Sequence, residues 1–147
     1  MSRAADLAAL IVDVNTTEAK TDELTGKTSA GSIAVTGEGG STTTNLQQGL
    51  AKCWVNFNGT GTIAARDSFN VSSLDDNGTG DYGVNMSSVF SSANHSAHGT
   101  CDATGNYSNA EINTVAASGI DSMRCWNDNP ASIDPSLVFA TMHGDLA

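Results

Sequence analysis

From Gly49 to Asp81 the chain reads GLAKCWVNFNGTGTIAARDSFNVSSLDDNGTGD, alternating apolar and polar positions in three stretches. Two copies of Asn-Gly-Thr-Gly, at Asn58–Gly61 and Asn77–Gly80, punctuate them. Period-two alternation puts one set of side chains on a packed face and the other in water. Asn-Gly supplies the positive φ angles that a two-residue hairpin turn needs. The segment therefore predicts a β-meander. Strands are predicted at Leu50–Phe57, Thr62–Val71, Tyr82–Phe90, Glu111–Ala117, Met123–Trp126 and Leu137–His143. In the second, Ile63, Ala65, Phe69 and Val71 share a face with Asp67. A buried carboxylate needs a partner, which places Asp67 at a strand bend or an interchain contact. In the third, Tyr82, Val84, Met86, Ser88 and Phe90 share a face. Asn129-Pro130 and Asp134-Pro135 bracket a turn, because a residue before proline is pushed into extended geometry. The pattern as a whole predicts a mainly β fold, an antiparallel β-sandwich over residues 46–147.

Upstream the period changes. Leu7, Leu10, Ile11 and Val14 fall at i, i+3, i+4 and i+7, which predicts a short amphipathic helix within residues 1–14, with Ser2 as its cap. An isolated helix of that length is marginal in water. The stripe needs a partner surface: its own domain, another protein, or two further copies in a bundle. Its expected role is attachment. Residues 15–45 read as a Gly/Ser/Thr-rich linker holding one strand, Ser32–Thr36, and the tract Gly37–Gly40. That tract is not followed by the Lys-Ser/Thr that a phosphate-binding loop requires.

Composition narrows the function classes. The 147 residues include six Lys+Arg against sixteen Asp+Glu, a net charge of −10, the wrong sign for binding nucleic acid. No apolar run approaches the roughly 20 residues that span a bilayer, so membrane insertion is not expected. The N-terminus, interrupted by Asp6 and Asp13, does not read as a signal peptide. Synthesis in the cytoplasm is the expectation. Aromatics are only 5% of the chain and many apolar residues are Ala, predicting a core of small side chains. Such a core buries little area, at about 25 cal/mol per Å², and favours sharing surface between identical chains. Cys53, Cys101 and Cys125 would stay reduced in a cytosol, with a late Cys101–Cys125 disulfide outside the cell as the alternative.

Candidate chemistry is sparse. His95, His98 and Cys101 stand at three-residue spacing, with His143 further on. Imidazole and thiolate ligate zinc, but a zinc site wants four converging ligands, and three-residue spacing in a strand alternates faces. No metal site and no cofactor are expected. Asp75–Asp81 resembles a calcium loop in composition, yet the twelfth position, where an EF-hand requires Glu, is Met86; a plain hairpin turn is expected. No nucleophile elbow or paired glycosidase acids appear, so no catalytic residues are expected and the chain does not read as an enzyme. The aromatic residues Tyr107 and Trp126 lie among Asn, Asp and Ser, and with Asn127 and Asp128 they form the candidate contact surface. Aromatic faces stack on sugar rings while amides and carboxylates bond hydroxyls. Covering the core edge is the alternative role for Trp126. Trp54 is expected in the core or at an interchain contact.

The blocks GLAKCWVNFNGTGT, RDSFNVSS, DNGTGDY and HGDLA resemble the recurring C-terminal domain of tail-fibre and other virion surface proteins of tailed, notably marine, bacteriophages. The likeness covers roughly residues 28 to 147. It implies a β-rich, commonly trimeric, non-enzymatic structural protein of the virion, located at a fibre tip that touches a host surface glycan or outer-membrane protein. Because only a helix and a linker precede the domain, the expectation is a short homotrimeric tail fibre, docked on another virion protein of tail or capsid through its N-terminus. A capsid decoration or cement protein, or a head fibre, is the alternative, and a polymer-degrading enzyme a remoter one.

Overall fold

The computed structural model describes residues 23–29, 31–102 and 108–147. The N-terminal helix, with Leu7, Leu10, Ile11 and Val14, lies outside the described residues, as does Tyr107. Ala34–Ala147 form one compact unit. Its ten strands are β1 (Ala34–Thr36), β2 (Thr43–Asn45), β3 (Cys53–Asn58), β4 (Ala64–Phe69), β5 (Val71–Gly78), β6 (Asp81–Met86), β7 (Ser96–Asp102), β8 (Ser108–Ala116), β9 (Gly119–Asn127) and β10 (Leu137–His143). Among the described residues a single short helix, α1 (Leu46–Gly49), follows β2. Asn45 caps it, its side chain accepting from Gln48 N at 3.2 Å. Part of the expected linker is therefore structured: β1 and β2 pair antiparallel, and the Gly-rich tract is their turn, with Gly37 N donating to Thr42 O at 2.8 Å.

Eight strands form two four-stranded sheets, β4-β3-β10-β7 and β5-β6-β9-β8, and every pairing is antiparallel. Their inner faces share one core, giving a sandwich-like arrangement. Val55, Phe57, Val138 and Met142 come from the first sheet, and Tyr82, Val84, Ile120 and Met123 from the second. Phe57 meets Tyr82 edge-on at 5.3 Å. This core is not one of small side chains. Ala140 is the one fully buried alanine of the described core, with Ala97 and Ala110 partly buried against it. Composition misled because it counts alanines without locating them.

The expected meander is also corrected. β3–β4 is a hairpin of the first sheet and β5–β6 a hairpin of the second, so the predicted strand Thr62–Val71 is broken. The break is Asn70, held at φ 58°, a left-handed conformation that asparagine tolerates better than most residues. Its side chain ties the crossing: Nδ2 donates to Lys52 O and Ser88 O at 2.9 Å each, and Oδ1 accepts from Ser88 N at 2.7 Å. A bulge between Asn56 and Phe57 then shifts the β3–β4 register. Phe69 and Asp67 consequently stand opposite Trp54 and Asn56 on the outer face, while Ala65 faces Phe57. Ile63, Ala65, Phe69 and Val71 do not share a face. A bulge adds one residue and flips every side chain beyond it.

Candidate functional site

Trp126 sits near the end of β9, and its surroundings follow from the strand pairing. Along the outer face of the second sheet, Asn109 stands opposite Trp126, and Arg124 lies between Glu111 on β8 and Asp81 on β6. The residues after β9 fold back over this face. Trp126 bridges Ser132, and Ile133 N donates to Cys125 O at 3.2 Å. The result is an open cleft of about 310 Å³ lined by Glu111, Arg124, Trp126, Pro130 and Ser132. Trp126 is half-buried: one part covers the sheet and the remainder is available to a ligand.

Asn127 builds the wall rather than touching the cleft. Its Oδ1 accepts from Asn129 N at 3.1 Å and Ala131 N at 3.0 Å, an arrangement that asparagine makes readily in turns. Asp128 is exposed on the outside of that turn. The structure thus brings Trp126 together with Glu111, Arg124, Pro130 and Ser132, none of which the sequence marks as a contact residue. Glu111 and Arg124 are legible only in the β8–β9 register.

The wall is anchored by the two repeated tetrads, which meet at one end of the molecule. Gly59, from the first, donates its N–H to Pro135 O at 2.9 Å. Gly80, from the second, donates to Asp134 Oδ1 at 2.7 Å. Gly80 adopts φ +67°, and a Cβ there would collide with Cys125 O and Ile133 O, so only glycine lets the β5–β6 turn pass beneath the wall. The buried Tyr82 hydroxyl completes the knot, 2.9 Å from Asp134 Oδ1 and 3.2 Å from Gly59 O. Burial and the adjacent Asp134 carboxylate push the Tyr82 phenol well above its ordinary value.

A second surface lies on the outer face of the first sheet. Trp54 stands opposite Phe69 on one side and Thr141 on the other, and Phe139 stands opposite Asn56. Phe69 is 53% exposed, Phe139 37% and Trp54 36%. Trp54 is therefore not a core residue but stands on the outer face. In a chain that is 5% aromatic, placing three large rings on one outer face is a marked concentration.

The metal-ligand candidates diverge. His98 and His143 point outward from β7 and β10, Cys101 points into the core, and His95 stacks on Phe90 at 4.1 Å. No group of three or more ligating side chains is found among the described residues. The Asp75–Asp81 carboxylates are spent on separate local bonds: Asp75 accepts from Asn85 at 2.7 Å, Asp76 from Gly78 N at 3.1 Å, and Asp81 from Ser122 at 2.7 Å. No described helix is long and apolar enough to cross a membrane. No family model, curated protein or solved structure matches the chain.

Proposed function

We propose that the chain is a non-enzymatic bacteriophage virion protein, a short homotrimeric tail fibre or fibre tip that contacts a glycan on the host surface. The Trp126 cleft carries this reading. An indole face beside a carboxylate, a guanidinium and a hydroxyl is the chemistry that stacks a sugar ring and bonds its hydroxyls. The cleft stands on a sheet and is walled by a loop that hydrogen bonds to β9 and to the two Asn-Gly-Thr-Gly turns fix, so little freedom is lost when a ligand enters. The exposed aromatic face of the first sheet supports the oligomer: identical chains closing a ring would remove Trp54, Phe69 and Phe139 from water. The stripe Leu7, Leu10, Ile11 and Val14 would dock the assembly on another virion protein, after synthesis in the host cytoplasm.

The test uses Trp126→Ala. Purified wild-type protein should compete with the phage for adsorption to intact host cells, and the variant should compete at least tenfold less well. Its melting temperature should move by only a few degrees, since Trp126 is half-buried. Unaltered competition by a folded Trp126→Ala protein would move the reading to capsid decoration. Competition lost only on cells stripped of outer-membrane protein would replace the glycan with a protein receptor.

A further inference from the structure

Cys101 and Cys125 lie on different sheets, β7 in the first and β9 in the second, yet both belong to the shared core. Face-to-face sheets ordinarily stand about 10 Å apart, too far for a disulfide, whose Cα atoms must lie within about 7 Å. Here the sheets draw together. Cα atoms of β7 approach those of β9 within 8 Å, and the cause is Gly99. A Cβ at Gly99 would collide with the Met123 sulfur and lie 3.2 Å from Ile112 Cδ1, so the bare backbone of β7 rests on the Met123 side chain of β9 and the Ile112 side chain of β8. Two residues further along each strand, on the same inward faces, are Cys101 and Cys125.

The sulfur atoms are already engaged. Cys101 Sγ reaches across the sandwich and donates to Asn109 O at 3.3 Å, and the residue after Asn109, Ala110, is the register partner of Cys125. The neighbouring Cys125 thiol holds Cys101 below the ordinary thiol value, while Cys101 and burial together push Cys125 above it. Cys53 is buried elsewhere in the core, and desolvation pushes its thiol up to about 11.

We infer that Cys101 and Cys125 join as an inter-sheet disulfide once the protein meets an oxidising medium containing a low-molecular-weight disulfide. Cys101 loses its proton and attacks one sulfur of the small disulfide. A mixed disulfide forms and one small thiolate leaves. Cys125 then loses its proton and attacks Cys101 Sγ, expelling the second small thiolate. The protein gives up two protons and two electrons, and the small disulfide becomes two thiols. Cys101 attacks first because it is the more acidic and the less buried of the pair, at 7% exposure against 0%. The bond pins the two sheets together beside the cleft wall, independently of what the cleft binds.

The experiment is to unfold the full chain in reductant and refold it in a mixture of reduced and oxidised glutathione. It is then alkylated in denaturant and its mass and peptide map measured. The expected product has lost two hydrogens, takes up one alkyl group where the fully reduced chain takes three, and yields a linked pair of peptides from β7 and β9. It should melt roughly 10 °C above the same sample kept reduced. Cys53→Ala should give the same link. Three alkylated thiols in the refolded chain, or a link through Cys53, would overturn the inference. If the chain does not refold, prolonged exposure of the native protein to the same couple applies the same criteria.

Discussion

Tyr82 carries a hydroxyl into the core, and the fold is built to receive it. Asp134 and Gly59 O meet it, and Asp134 also takes the Gly80 amide. Asp134→Ala would take the side-chain acceptor from the buried Gly80 amide and leave the Tyr82 hydroxyl with Gly59 O alone, which should cost about 1–3 kcal/mol in urea unfolding; Tyr82→Phe should cost less, because it removes the hydroxyl and leaves Asp134 its bond to Gly80. Tyr82 and the buried Cys53 together set an alkaline limit. Cys53 is pushed from 9.0 up to about 11 by burial, and Tyr82 is raised by burial and Asp134. Both groups are held protonated in the native state, while the unfolded chain releases those protons near the ordinary values. The stability that Cys53 contributes is complete below about pH 9 and lost as pH rises through about 11, on the order of 2–3 kcal/mol, and the Tyr82 contribution is lost at higher pH. Denaturant midpoints measured from pH 8 to 11 should fall steadily, and Cys53→Ala should flatten the curve. None of this was legible in the sequence. Asp134 read only as a residue before proline, and its two partners lie more than fifty positions away.

Among the elements, legibility follows the strength of the alternation. β10 was predicted with its observed limits, Leu137–His143, because buried Val138, Ala140 and Met142 alternate with the less buried residues between them. Tyr82, Val84 and Met86 were likewise placed on one buried face, as observed. β5 and β7 escaped as strands. Both are edge strands, so little of them is buried, and sequences such as VSSLDDNG and SAHGTCD carry no apolar period. The exchange of sheets at Asn70 was hidden because a bulge and a left-handed residue interrupt the pattern without changing its composition. The same bulge leaves Phe69 beside Trp54 on the outside. Replacing Trp54 and Phe139 together with Ser should convert the proposed trimer to a folded monomer by native mass spectrometry, with little loss of melting temperature, because neither side chain enters the core. A wild-type chain that is monomeric at micromolar concentration would remove the trimer.

At the scale of the whole molecule, two opposite faces have different chemistry. One sheet presents exposed rings to the outside, and the other presents an indole with charged and hydroxyl neighbours. An acidic chain of net charge −10 keeps such a particle soluble despite its apolar face. Sequence alone singled out Trp126 but not its cleft neighbours Glu111, Arg124 and Ser132, because a cleft on a sheet is assembled by register and not by spacing along the chain. The central claim is that this protein faces the host from the phage tail, and position on the particle tests it most directly. Antibody labelling of purified virions, combined with electron cryo-microscopy and quantitative mass spectrometry, should place the protein at the tail in a small multiple of three copies. Labelling spread over the capsid in large symmetric numbers, or absence from the purified particle, would contradict it.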